Sequence, residues 1–206
     1  MRIAIFGATG ATGRHLVEQA LQTGHEVTAL IRTEGSLPGH AAGLTTVIGS
    51  LQQPAAVRSV VQGADVVISV LGMRDKDTTP VCTDGARSIV QAMTATGARR
   101  LIALSAYGAA ETSGASFFIR FVRQIIADKM RDKDGMEALI RGSGLDWTLV
   151  RPPRLTGGAL TDSYRAGTDL RPGLTSSLSR ADLASFILQE AARNQYIGKA
   201  PVVMQD

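Results

Sequence analysis

The residues richest in chemical meaning are Gly7, Thr9, Gly10, Thr12 and Gly13, in the spacing G-x-x-G-x-x-G. An apolar run at 2–6 precedes them and an amphipathic stretch at 12–22 follows. A glycine triplet alone can be a plain turn. Set between a strand and a helix, it is built to hold a dinucleotide pyrophosphate. Gly7 makes the tight turn, Gly10 removes the side chain that would block the phosphate, and Gly13 lets the helix pack close to the strand. The free N–H groups at the helix start, with its dipole, then face the anion.

The second candidate group reads the adenosine end. An acidic residue about 20 positions past the glycines grips the ribose in NAD-binding chains. Here the second apolar run closes Ala29-Leu30-Ile31-Arg32. A guanidinium at Arg32 can pair with the 2′-phosphate of NADP. Arg14 could flank the same phosphate. Glu34 lies two residues beyond, so NAD stays open as the cofactor.

Other reactive types are sparse. Cys82 is the sole cysteine, so no intrachain disulfide forms and no multi-cysteine metal site exists. It opens a helix, yet no base accompanies it, and it reads as structural. His15, His25 and His40 have no metal-ligand spacing. A net charge of +4 suits an anionic cofactor but is too small to argue for nucleic acid, as is the 4% aromatic content. No run approaches the roughly 18 apolar residues of a membrane span. The chain enters a strand at once, which leaves no room for a signal peptide, and the expected setting is cytoplasmic.

The elements that must position these residues alternate. Strands are expected at 2–6, 26–31, 45–48, 66–70, 101–104, 148–151 and 201–204, and helices at 12–22, 54–62, 82–96, roughly 116–141 and 180–193. Gly24, Gly63, Gly97 and Gly144 stand where helices should stop. The pattern predicts α/β architecture: one domain over 1–206, a Rossmann-like doubly wound parallel sheet with helices on both faces. The stretch 116–141 carries Arg120, Arg123, Lys129, Arg131 and Lys133 against Asp128, Asp132 and Asp134, with Phe117, Phe118, Phe121, Ile125 and Ile126 between them. It reads as an amphipathic helix, broken near Asp128, with its charged face in solvent. A partner or membrane surface is the alternative.

With these residues in place, the chain resembles the atypical short-chain dehydrogenases/reductases. Within them it is most similar to NADPH-dependent flavin reductases of the biliverdin-IXβ reductase type. The segments that carry the likeness are Ile5-Phe-Gly-Ala-Thr-Gly10, Leu30-Ile-Arg32, Leu71-Gly-Met-Arg74-Asp75, Asp84-Gly-Ala-Arg87, Ser105-Ala-Tyr107, Ser143-Gly-Leu145 and Pro152-Pro153. The resemblance implies that Gly7, Thr9, Gly10, Thr12, Gly13 and Arg14 line the phosphates and that Arg32 meets the 2′-phosphate. It places Ser50 and Leu51 near the adenine, and Leu71, Gly72 and Arg74 beside the ribose and phosphates. Pro152 and Pro153 shape the nicotinamide end. Ser105 would lie near the nicotinamide, with Tyr107 and Arg154 facing a substrate pocket formed by loops after strands 4–6. Departures are Ser36 for a second arginine, Ser50 for an aspartate, Arg154 for a histidine and Tyr107 for a phenylalanine.

Alcohol-oxidising relatives use a tyrosine followed four residues later by lysine. Here Tyr107 is followed by Glu111, Tyr164 by Thr168 and Tyr196 by Ala200. Hydride transfer to an electron-poor flavin or related conjugated acceptor needs alignment more than a protein acid. Ser105 and Tyr107 are the candidate catalytic residues, acting on a small-molecule acceptor in a monomer or weak homodimer, without nucleic acid or membrane. The alternative is a non-catalytic NADP(H)-binding redox sensor.

Overall fold

The computed structural model describes residues 1–37, 41–73, 79–115 and 117–205. Arg74 and Asp75 of the fourth-strand motif lie outside the described residues, as do His40 and Ser116.

The apolar runs pair into a six-stranded parallel sheet. Its strands are β1 (Arg2–Phe6), β2 (Glu26–Ile31), β3 (Leu44–Ile48), β4 (Val66–Ser69), β5 (Arg100–Leu104) and β6 (Asp146–Val150), in the order β3-β2-β1-β4-β5-β6. This is the doubly wound Rossmann order, with a crevice beyond the carboxyl ends of β1 and β4 where the winding reverses. Strand residues alternate between two cores. Ile3, Ile5, Ile68 and Ile102 point to one side, where α1 (Ala11–Gln22) and α6 (Arg180–Arg193) pack. Ala4, Phe6, Val67 and Leu101 point to the other, under α2 (Pro54–Val61), α3 (Val81–Thr96) and α5 (Ala127–Arg141). Burial on both faces is why these strands read as continuous apolar runs.

One buried ion pair holds α6 to the sheet. Arg100 donates to Glu190 at 2.7 Å, to Thr148 Oγ1 at 2.9 Å and to Asn194 Oδ1 at 2.7 Å. Removing one partner of such a pair strands a buried charge and costs about 3–5 kcal/mol.

The sequence expectation is corrected at two places. The run at 201–204 is not a seventh strand of the main sheet: β10 (Val202–Met204) pairs antiparallel with β8 (Arg165–Gly167). Isolated bridges, Thr148 with Lys199 and Arg151 with Val202, and hydrogen bonds such as Gly198 N–H to the Trp147 oxygen at 2.7 Å link this end of the chain to β6 and its exit. The strands β7 (Arg154–Thr156) and β9 (Ser177–Ser179), which pair in parallel, escape notice because three residues are too short to show a period.

The stretch 116–141 does break, at Ile126 (φ −113°, ψ 38°), between α4 (Phe117–Ile125) and α5. The facing of α4 is the second correction: Ile119 and Val122 are half-buried, while Phe117 (87%), Phe121 (60%) and Ile125 (67%) are exposed beside Arg120, so solvent meets an apolar stripe as well as charge.

Candidate functional site

The loop from β1 to α1 has the shape that the glycines demand. Gly7 sits at φ +86°, and a Cβ there would lie 2.9 Å from the Val70 carbonyl oxygen. A Cβ on Gly13 would lie 2.1 Å from the Gly7 oxygen, so helix and strand touch backbone to backbone. Gly10 differs. A Cβ there would meet only the Gly7 oxygen, at 3.2 Å, and the residue is exposed. The space over Gly10 is a cradle that any side chain would fill. Gly10 caps α1 without a side-chain hydrogen bond, and the first turn carries no acidic residue. Its first N–H groups are therefore available to an anion, as phosphate binding requires. Thr12 and Gly13 are buried beneath this turn, and Thr9 is half-buried at its rim.

The start of α3 is occupied instead. The Asp132 carboxylate accepts from the backbone N–H of Cys82 at 2.9 Å and of Thr83 at 2.8 Å. Cys82 is 1% exposed, its Sγ reaches the Leu71 oxygen at 3.4 Å, and burial pushes its thiol pKa up. Thiol chemistry is closed off there, as the structural reading expects.

Three loops converge on the crevice. Gly7 backs onto Val70 and Leu71 at the exit of β4. The Lys133 ammonium of α5 donates to the Leu71 oxygen at 2.9 Å and to the Leu104 oxygen at 2.5 Å, so it joins the ends of β4 and β5. Two of its three donors are used this way. Leu51 and Leu71, distant in sequence, both reach Gly85 of α3, where a Cβ would lie 2.4 Å from Leu71 and 3.2 Å from Leu51. Gly72 is exposed just past Leu71. The Ser50 N–H donates to Gln53 Oε1 at 2.8 Å, turning the chain into α2.

At the adenosine side, Arg32 is exposed, and its guanidinium makes no hydrogen bond or ion pair with the described residues. Arg14 is engaged: it donates to the Ser36 oxygen at 2.9 Å, across the turn that follows Arg32.

The end of β5 carries a charge network that sequence patterns did not reveal. Ser105 is 3% exposed and donates its hydroxyl to Glu137 Oε1 at 2.6 Å. Glu137 is fully buried against Arg151, whose Nε donates to Oε1 at 2.9 Å and whose Nη2 donates to Oε2 at 2.5 Å. The other edge of that guanidinium holds Glu111 through two 2.8 Å bonds. Hydrogen bonds from Arg151 bring the Glu111 pKa down to about 2. Burial of Arg151 works against its charge, but hydrogen bonds to Glu137 and Glu111 outweigh it and raise its pKa. Arg151 directly precedes Pro152, which is buried and whose oxygen accepts from the Tyr107 N–H at 2.9 Å. Pro153 is half-buried.

Tyr107, Glu111, Arg141, Arg151, Asp169 and Lys199 are among the residues lining a cleft of about 530 Å³ beside β6. The glycine loop contributes nothing to its wall among the described residues. Arg154 opens β7, exposed and paired in register with Ser177, and is not among the residues lining the cleft.

A family-level match covers residues 7–194, from the first glycine to the end of α6, and is to the NAD(P)H-binding family. The chain belongs to that family. It is 28% identical over 198 residues to an uncharacterized sugar epimerase, YhfK, of Bacillus subtilis, covering 91% of this chain and 86% of that one. It is 32% identical over 166 residues to the ceramide reductase of Caulobacter vibrioides, covering 78% of this chain and 48% of that one. The chain thus spans about a quarter to a half of the length of several curated relatives that it matches. Among solved structures, ChuY, an anaerobillin reductase of Escherichia coli O157:H7, shares the fold at TM-score 0.87 and 20% identity, with 100% of this chain and 97% of that one covered. The family match shows NAD(P)H binding; the relatives include proteins named as an epimerase and as reductases, and they do not single out a flavin reductase.

Lys133 is the residue that sequence reasoning missed. Searching forward from each tyrosine could not find it, because Lys129 stands four residues before it. The usable signal was a lysine amid the polar face of a helix that returns to the strand ends.

Proposed function

We propose that the protein is an NADPH-dependent reductase passing a hydride to a flavin or related conjugated acceptor. The observation that carries this reading is the state of Ser105. Its one proton already goes to Glu137, so it can accept a hydrogen bond but cannot protonate a substrate. With no tyrosine four residues before Lys133, the machinery for delivering a proton to a carbonyl oxygen is missing. An acceptor that is electron-poor and takes its proton from water does not need it.

The bound nicotinamide would supply the hydride. The Gly10 cradle and the α1 N-terminus would hold the pyrophosphate, with Thr9 and Thr12 at its rim. The free donor of Lys133 would hold the ribose, with Leu71 and Gly72 beside it. Arg32 would take the 2′-phosphate, while Arg14 fixes the Ser36 turn next to it. Ser50 and Leu51 would border the adenine, and Pro152 and Pro153 the nicotinamide. Tyr107 would form a wall for the acceptor. Arg154 stays a candidate substrate contact from β7. The ceramide reductase and ChuY, both named as reductases, support the reaction class. The test is NADPH oxidation, followed by absorbance, against flavins, quinones and linear tetrapyrroles. Turnover with a conjugated acceptor but not with simple aldehydes supports the proposal. Turnover confined to simple carbonyls overturns it.

A further inference from the structure

The turn that leaves β2 holds an unpaired donor. The Ser36 hydroxyl oxygen is buried and makes no hydrogen bond, the one side-chain polar atom of this kind among the described residues. Burying a hydroxyl without a partner is costly, and buried polar groups in native proteins are nearly always paired. Both backbone groups of the same residue are used: its N–H donates to the Thr33 oxygen at 3.4 Å, and its oxygen accepts from Arg14 at 2.9 Å. The turn is also pinned at its ends, because Ile31 before it and Leu37 after it are buried in the same core. Its surroundings are cationic. Arg32 is exposed with no partner among the described residues, and Arg14 reaches across from α1. Glu34, the acidic residue of the turn, is exposed to solvent and screened by it.

We infer that Ser36 sets cofactor specificity: its hydroxyl is the donor held ready for the 2′-phosphate of NADPH. The inference rests on the reading that this turn meets that phosphate. A phosphate monoester offers three strong acceptor oxygens, and the fork of one guanidinium serves two of them. A serine hydroxyl beside it has one proton to give. A hydrogen bond to a charged oxygen is worth more than one to a neutral group. NADH presents a neutral 2′-hydroxyl at the same place, so the same donor gains less from it. A donor that is already fixed and unpaired favours the phosphate further, since no internal bond has to break when the ligand arrives. The cost falls on the stability of the free chain, a trade that functional sites commonly make.

The test compares the unmodified chain, Ser36→Ala and Arg32→Ala, each by its melting temperature without nucleotide and by calorimetry with NADPH and NADH. Ser36→Ala removes a buried group that has no partner, so the free chain should melt at the same temperature or higher. The same substitution should weaken NADPH about tenfold and leave NADH within about twofold. A serine with a purely structural role would lower the melt and treat the two cofactors alike. A lowered melt, or NADPH and NADH affinities that move together or not at all, overturns the proposal. Arg32→Ala keeps the two readings apart. If it weakens NADPH selectively and Ser36→Ala does not, only the role of Ser36 falls. If neither variant separates the cofactors, the 2′-phosphate reading of the turn falls with it.

Discussion

Ser105 and Glu137 are joined by a 2.6 Å hydrogen bond in which the serine is the donor, buried at the carboxyl end of β5. That bond fixes what Ser105 can do. A positioned general acid is worth about 10²–10⁴-fold in rate. Ser105→Ala should therefore lower turnover of a conjugated acceptor by less than about a hundredfold, and destabilise the chain by about 1 kcal/mol through the lost bond. Tyr107→Phe should also stay under the hundredfold limit. A larger loss for Tyr107→Phe at unchanged NADPH affinity would make that phenol the proton donor.

The Arg151–Glu137 pair should matter mainly to stability. Both side chains are at most 2% exposed. Glu137→Gln removes one charge and leaves the guanidinium short of a buried counter-ion, a change that costs about 3–5 kcal/mol. Urea denaturation should show the midpoint fall with the slope unchanged. An unaltered midpoint would contradict the picture of a buried, mutually dependent pair.

Acid should loosen the outer half of the same network. The Glu111 pKa is lowered to about 2 by its hydrogen bonds with Arg151. A carboxylate with a depressed folded-state pKa adds stability above its unfolded value, and this is lost as pH falls through the folded value. The contribution should fade between pH 4.5, the ordinary value for a glutamate, and about 2. Because the Glu111 side chain is 60% exposed, solvent and salt will mute the effect. Melting temperatures across that window should fall less steeply for Glu111→Gln than for the unmodified chain. Parallel curves would contradict the assignment.

Cofactor choice should rest on Arg32. Loss of a charge-assisted pair costs about 1.5–3 kcal/mol, so Arg32→Ala should weaken NADPH about tenfold or more and leave NADH nearly unchanged by calorimetry. Equal weakening of both would remove Arg32 from the 2′-phosphate.

Much of this molecule is legible in its residues. The glycine spacing, the six sheet strands as they succeed one another along the chain and the break before α5 follow from local periodicity and turn chemistry. What sequence left dark depends on contacts between distant positions. Lys133 meets Leu71 across 62 residues, and Asp132 reaches Cys82 across 50. Arg151 looks like any strand-end arginine until Glu137 and Glu111 are folded around it. The outward stripe of α4 has a periodicity identical to that of a buried one, so the pattern told the helix but not its facing.

The most direct test of the central claim pairs two proteins in one experiment. NADPH deuterated at its transferable C4 position is mixed anaerobically with flavin, using the unmodified chain and Gly10→Val. A valine fills the open cradle over Gly10 while the fold is expected to persist by circular dichroism. The account predicts flavin reduction that slows on deuteration for the unmodified chain, and neither binding nor reduction for the variant. Tight NADPH binding with no oxidation by any conjugated acceptor would contradict the reductase claim, and full activity of Gly10→Val would contradict the site itself.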